Sequence, residues 1–157
     1  MASRVDQRLH EIGITLPRAA PAFASYLPWK VSRGMVHISG QGPLWDAKVE
    51  SRFCGVIGAD LSLETGQEAA RLTALNVISQ LREACEGDLD RVNGCVQLMG
   101  YVNCVPGFEK TPTVVNGGSD VIVDIFGDAG RHARYAVGLN ALPENICVEL
   151  AAIFEIE

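Results

Sequence analysis

Residues 65–87, TGQEAARLTALNVISQLREACEG, followed after four polar-rich residues by VNGCVQLMGYVN over 92–103, decide the fold. The first stretch reads as a helix from about Gly66 to Glu86, with Thr65 and Glu68 spaced as a capping box and Gly87 as the stop. No proline interrupts it. Ala70, Ala74, Val77, Leu81, Ala84 and Cys85 recur at helical spacing and make an apolar stripe that needs a sheet to cover it. The second stretch alternates as a strand does, Val92, Gly94, Val96, Leu98, Gly100 and Val102 against Asn93, Cys95, Gln97, Met99 and Tyr101. Neither of its faces is strongly polar, so both need cover.

Upstream, Val5 to Ile12 reads as a short helix closed by Gly13, with a Pro- and Ala-rich connector from Pro17 to Phe23. This arm reads as an addition to the domain rather than part of its core. A hairpin follows, Trp29-Lys30-Val31 and Met35 to Ser39 around Ser32-Arg33-Gly34, then an irregular loop at Gly40-Gln41-Gly42-Pro43 and a third strand around Phe53 to Ile57. Downstream, Val114, Val115, Val121, Ile122, Ile125 and Phe126 predict a second helix between Pro106 and Phe126, against the opposing signal of Pro112 and Gly117-Gly118. Ala133 to Leu139 and Ile146 to Ile156 close the chain as strands. The order β-β-β-α-β-α-β-β predicts one α/β (α+β) domain over 23–157 behind an arm over 1–22, its sheet mostly antiparallel with both helices on one face.

A chain of 157 residues with 48% hydrophobic and 20% charged residues is long and apolar enough for a core, which excludes disorder. Thirteen Lys and Arg against nineteen Asp and Glu give a net charge of −6, which weighs against a nucleic-acid partner. The charged opening residues lack an apolar signal segment and no membrane span is written, so the expected location is the cytoplasm. Cys54, Cys85, Cys95, Cys104 and Cys147 form no C-x-x-C pair and read as small core residues. His10, His37 and His132 stand apart from one another, so no metal site is expected. No Walker lysine and no G-x-S-x-G elbow occurs.

The last strand carries a chemical signal. Glu149 shares a face with Cys147, Ala151 and Ile153, and a lone carboxylate on an apolar face belongs to an interface, a site or a structural ion pair. Arg134 shares a face with the small residues Ala136 and Gly138. A guanidinium there has room to grip a carboxylate ligand bidentately, or it forms a salt bridge to Glu149 or an exposed acid.

Ile38-Ser39-Gly40-Gln41-Gly42-Pro43, Ala133-Arg134-Tyr135-Ala136-Val137 and Leu142-Pro143-x-x-Ile146-x-Val148-Glu149-x-x-Ala152-Ile153 resemble the reactive intermediate deaminase (Rid) family, also called YjgF-like and formerly L-PSP endoribonucleases. The resemblance spans roughly Phe23 to Phe154. It implies a chorismate-mutase-like fold of the bacillus type, assembled as a homotrimeric barrel with ligand clefts between subunits. It further implies hydrolysis of 2-imino or enamine acids to 2-keto acids and ammonia, without metal or organic cofactor. Arg134 would bind the substrate carboxylate and Glu149 would position or activate water, with Tyr26, Ser39, Gly40 and Asn116 binding substrate. Ala136 stands in the cleft where the family often has cysteine. The implied partners are a small carboxylate and the chain itself, not nucleic acid or membrane. Two other readings share these residues: a non-catalytic module that binds a small carboxylate, and a ribonuclease or translation inhibitor, against which the acidic charge weighs.

Overall fold

The structure is a computed structural model and describes residues 3–157. Helix α1 (Arg4–Glu11) starts at Ser3, whose hydroxyl accepts the Asp6 N–H at 3.1 Å. Its Val5 and Leu9 lie one turn apart and are buried in the core, so the arm contributes to the interior as well as wrapping it. Strands β1 (Trp29–Ser32) and β2 (Met35–Gln41) form the expected hairpin, with Arg33 and Gly34 both at positive φ in the turn.

The third strand expected at Phe53 to Ile57 is absent. Leu44–Trp45 (β3) and Lys48–Val49 (β4) pair instead as a separate ribbon, and Ser51–Phe53 is a single 3-10 turn. The Asp60 carboxylate takes the Val56 N–H at 2.9 Å and turns the chain, so Cys54 and Ile57 make only isolated bridges. Helix α2 (Leu63–Ala84) also begins earlier than the capping box at Thr65 and Glu68 predicts. Ser62 caps it, accepting the Thr65 N–H at 3.0 Å, while Glu68 pairs with Arg52 at 3.1 Å.

Strand β5 (Val92–Asn103), helix α3 (Thr111–Phe126), strand β6 (Ala133–Leu139) and strand β7 (Val148–Ile156) complete the domain. The sheet runs β1-β2-β7-β5-β6, antiparallel except for β5 and β6, which α3 joins as a parallel crossover. Val148, Leu150, Ala152 and Phe154 of β7 are fully buried under α2 and α3, where the core sits. The implied homotrimeric barrel is corrected here: the sheet is open, with β1 and β6 as unpaired edges, and the described residues form no closed barrel. The face away from the helices, with Met99, Tyr101, Tyr135 and Val137, has no layer over it among the described residues.

Pro112 sits in the first turn of α3, where a proline fits, and Gly117-Gly118 lie within the helix rather than ending it. A Cβ on Gly117 would land on the Gln67 carbonyl, with the carbonyl carbon only 2.9 Å away. The glycine that weakens the helix signal is what lets two backbones touch. Gly117→Ala, which raises intrinsic helix propensity, is therefore expected to destabilise the fold by about 1–3 kcal/mol. Chemical denaturation checks this, and a gain in stability contradicts the packing argument.

Candidate functional site

Strand geometry divides the expected site residues into two groups. Glu149 pairs in register with Tyr101, and Tyr101 with Val137, so Glu149 points to the open face. Arg134 pairs with Leu98, and Leu98 with Ala152, so Arg134 points to the helix face at the edge of the sheet. The two do not meet, and the salt bridge between them that the sequence leaves open does not form.

On the helix face, Arg134 is held by α3. Its Nη1 donates to Asn116 Oδ1 at 2.8 Å and Ser119 Oγ at 3.1 Å, and its Nη2 to the Pro112 carbonyl at 3.2 Å. Ser119 is in turn 2.9 Å from His132 Nε2, while His132 Nδ1 lies 2.6 Å from the Gly130 carbonyl. A carbonyl only accepts, so Nδ1 carries the proton and, in the neutral ring, Nε2 takes the Ser119 hydroxyl hydrogen. The Ser119 oxygen is left to receive the guanidinium. Arg134 forms no ion pair among the described residues, so a fixed cation stands ready for an anion from outside the chain. Ala136 lies two residues along the same face, and its carbonyl accepts the Thr111 hydroxyl at 3.0 Å.

On the opposite face of the sheet Tyr26, Gly40 and Glu149 line one cavity of about 430 Å³. The register of β2 against β7 slips between Ile38 and Gln41, and this bulge at Ser39-Gly40 re-aims the strand. Ser39 Oγ donates to the Leu27 carbonyl at 2.6 Å, and so anchors the segment that carries Tyr26. Gly40 has a definite reason to lack a side chain: a Cβ there would collide with the Glu149 carboxylate. That carboxylate is half-buried with no hydrogen bond or ion pair among the described residues. Burial holds its pKa above the usual carboxylate range. Beside it, the Tyr101 and Tyr135 hydroxyls meet at 2.9 Å. This hydrogen bond, then desolvation, then the charges of Tyr135 and Glu149 push Tyr101 up to about 12.

Sequence reasoning missed Ser119, His132, Phe23 and Glu144. Asn116 and Ser119, three apart on one helix, share a face, and that spacing is the signal that could have found the first of these. Phe23 and Glu144 line the Glu149 cavity from an arm and a turn whose path no periodicity reveals. The cysteines are the core residues the sequence suggests: Cys85, Cys95, Cys104 and Cys147 are buried and Cys54 partly so, all as free thiols. Burial pushes Cys95 and Cys147 up to about 12. No group of residues able to hold a metal ion occurs among the described residues, and no described helix is long and apolar enough to cross a membrane.

The raised Glu149 pKa links folding to pH. Its neutral form is the one burial favours, so this contribution to stability is complete below about pH 4.5 and is lost as pH rises through the elevated folded value. Glu149→Gln removes the loss. The variant is expected to melt above the parent at pH 7, with the gap closing as pH falls toward 4, as thermal scans across that range would record. An equal or lower melting temperature at pH 7 contradicts the buried, unpaired state.

Comparison with known proteins agrees with this architecture. The chain is 43% identical over 156 residues to protein TCP17 of Trypanosoma cruzi, covering 99% of this chain and 96% of that protein. It superposes on the crystal structure of Atu1372 from Agrobacterium tumefaciens, a protein of unknown function, with a TM-score of 0.89 and 39% identity, covering 98% and 92% of the two chains. A Shewanella oneidensis MR-1 structure described as a "putative endoribonuclease" gives a TM-score of 0.91 at 33% identity, covering 97% and 99%. Residues 6–155 match the family model "YjgF/chorismate_mutase-like, putative endoribonuclease". With nearly its whole length inside that match, the chain belongs to the YjgF/chorismate-mutase-like family, the Rid or L-PSP group.

Proposed function

We propose that the protein hydrolyses the C=N bond of 2-imino acids, formed from their enamines, to 2-keto acids and ammonia. The observation that carries this reading is a pair of uncompensated opposite charges: Arg134, fixed by α3 with no anion, and Glu149, half-buried with no cation. The first suits the carboxylate common to all such substrates and the second suits the water that attacks them.

A 2-imino acid is already electrophilic at the carbon that carries nitrogen. With the imine in its protonated iminium form, Glu149 takes a proton from water as the water oxygen bonds to that carbon, giving a neutral carbinolamine. The protonated carboxyl then returns that proton to nitrogen, and as the C–N bond breaks the carboxylate takes the remaining hydroxyl proton, leaving a ketone and ammonia. A carboxyl with an elevated pKa does both halves of this transfer better than one at the ordinary value. Arg134, held by Asn116, fixes the substrate by its carboxylate, with the small Ala136 leaving room beside it, while Tyr26, Ser39 and Gly40 shape the space in front of Glu149. Orientation supplies most of the remaining acceleration.

Because Arg134 and Glu149 lie on opposite faces of one sheet, a small substrate touches both only when a second copy of the chain brings its Arg134 to the Glu149 cavity of the first. The net charge of −6 favours this reading over ribonuclease action.

The test uses a 2-imino acid generated in solution by an amino-acid oxidase, with release of the keto acid followed over time. Glu149→Gln is expected to lower kcat by about 10²-fold or more, and Arg134→Ala chiefly to raise KM. Mixing the two weakened variants is expected to restore activity, since about a quarter of randomly assembled sites receive an intact Arg134 and an intact Glu149 from different copies. Full activity of a folded Arg134→Ala protein removes the carboxylate-binding role, and no recovery on mixing removes the shared site.

A further inference from the structure

The Glu149 cavity has walls of a particular kind, and they state what part of a substrate belongs inside. Phe23, Leu44, Val49 and Ile146 make it apolar, and among the described residues its only charged lining residues are the carboxylates Glu144 and Glu149. An anionic group placed there meets two like charges and no guanidinium, which is costly in a partly dehydrated space. We propose that this cavity holds the side chain of the imino acid and selects large apolar side chains, aromatic or branched, with Phe23 and Glu144 as the residues that set the preference. The inference rests on the deaminase reading for the reaction, but the cavity's preference for a side chain does not depend on turnover.

The walls are fixed in place by a row of polar side chains on α2. Asn76, Ser79 and Gln80 share one helix face and are all buried, an expensive place for polar groups unless each finds a partner. Asn76 Nδ2 donates to the Leu44 carbonyl at 2.8 Å, Ser79 Oγ to Pro17 at 2.7 Å and Gln80 Nε2 to Ala20 at 2.7 Å. One helix therefore clamps both β3, which carries Leu44, and the connector that leads to Phe23. The far end of the connector is held by Ser39 through Leu27. Between these anchors the Phe23 N–H donates to the Tyr26 hydroxyl at 3.4 Å, which ties the two aromatic wall residues together.

Glu144 is set with similar care. It and Asn145 stand at φ 54° and 57°, two consecutive non-glycine residues in the left-handed region. Such a conformation costs free energy and persists where the surroundings impose it, and here it brings a carboxylate to the rim of the cavity. The substrate's own carboxylate must then point outward, toward Arg134 of the second copy, and a side chain bearing another carboxylate is turned away.

The experiment compares four 2-imino acids, with methyl, isobutyl, benzyl and carboxyethyl side chains, by kcat/KM. In parallel, binding of the keto acids pyruvate, 4-methyl-2-oxopentanoate, phenylpyruvate and 2-oxoglutarate is measured by calorimetry. The benzyl and isobutyl compounds are expected to exceed the methyl and carboxyethyl ones by about tenfold or more in both measurements. Phe23→Ala, at a residue 65% exposed in the chain and outside its core, is expected to shrink the benzyl-to-methyl ratio by about tenfold. Glu144→Asn, which tolerates the left-handed backbone, is expected to raise the carboxyethyl compound relative to the others. Turnover without side-chain preference, or a ratio unchanged in Phe23→Ala, overturns this inference and leaves the deaminase reading standing. Absence of turnover together with Phe23-dependent preference for phenylpyruvate overturns the deaminase reading and upholds the inference. Equal binding of all four keto acids without turnover, or binding of none, overturns both.

Discussion

The period-two geometry of the β-strand is the constraint on which the rest depends. Along β7, residues Val148, Leu150, Ala152 and Phe154 face the helices and make the core, which leaves Glu149 no choice but the opposite face. The same register, carried across β5 into β6, sends Arg134 to the helix face. A shift of one residue in either strand would unite the two charges but would turn the core inside out. The separation of cation from carboxylate thus follows from the core, and the proposed reaction calls for a second copy of the chain for that reason.

Helix α2 shows a second consequence of packing. Its apolar stripe lies on the sheet as an amphipathic helix must, yet Asn76, Ser79 and Gln80 are just as deeply buried. They lie beneath the connector and β3 and satisfy the carbonyl of Leu44 in β3 and those of Pro17 and Ala20, which belong to no helix or sheet ladder. A segment without regular structure can cover a core only when something supplies its hydrogen bonds, and α2 supplies them here.

Much of the fold was legible because it rests on local periodicity. The hairpin turn at Arg33-Gly34, both long helices and the strands β5, β6 and β7 follow from spacing and from turn residues. What escaped was set by contacts distant in sequence: the true cap at Ser62, the loss of a strand at Phe53 to Ile57 to an Asp60 turn, and the closure of the cavity by Phe23. The candidate site was legible one residue at a time, through Arg134 and Glu149. Its division between faces was implicit in strand alternation, but the helix side of each strand had to be known before the two could be placed. Ser119 and His132 stayed hidden because their role depends on a helix and a strand end that only the tertiary fold brings within hydrogen-bonding reach.

The double anchoring of the arm has a consequence for how such a protein can change. The groups suited to the reaction sit on β2, β6, β7 and α3, whereas Phe23 and Tyr26 sit on a connector attached largely through its own backbone carbonyls. Carbonyls are the same in every residue, so the sequence of the connector is free to drift while its attachment persists. Descendants of one scaffold can thereby reshape the cavity's outer wall without disturbing the sheet and helix that hold Arg134 and Glu149.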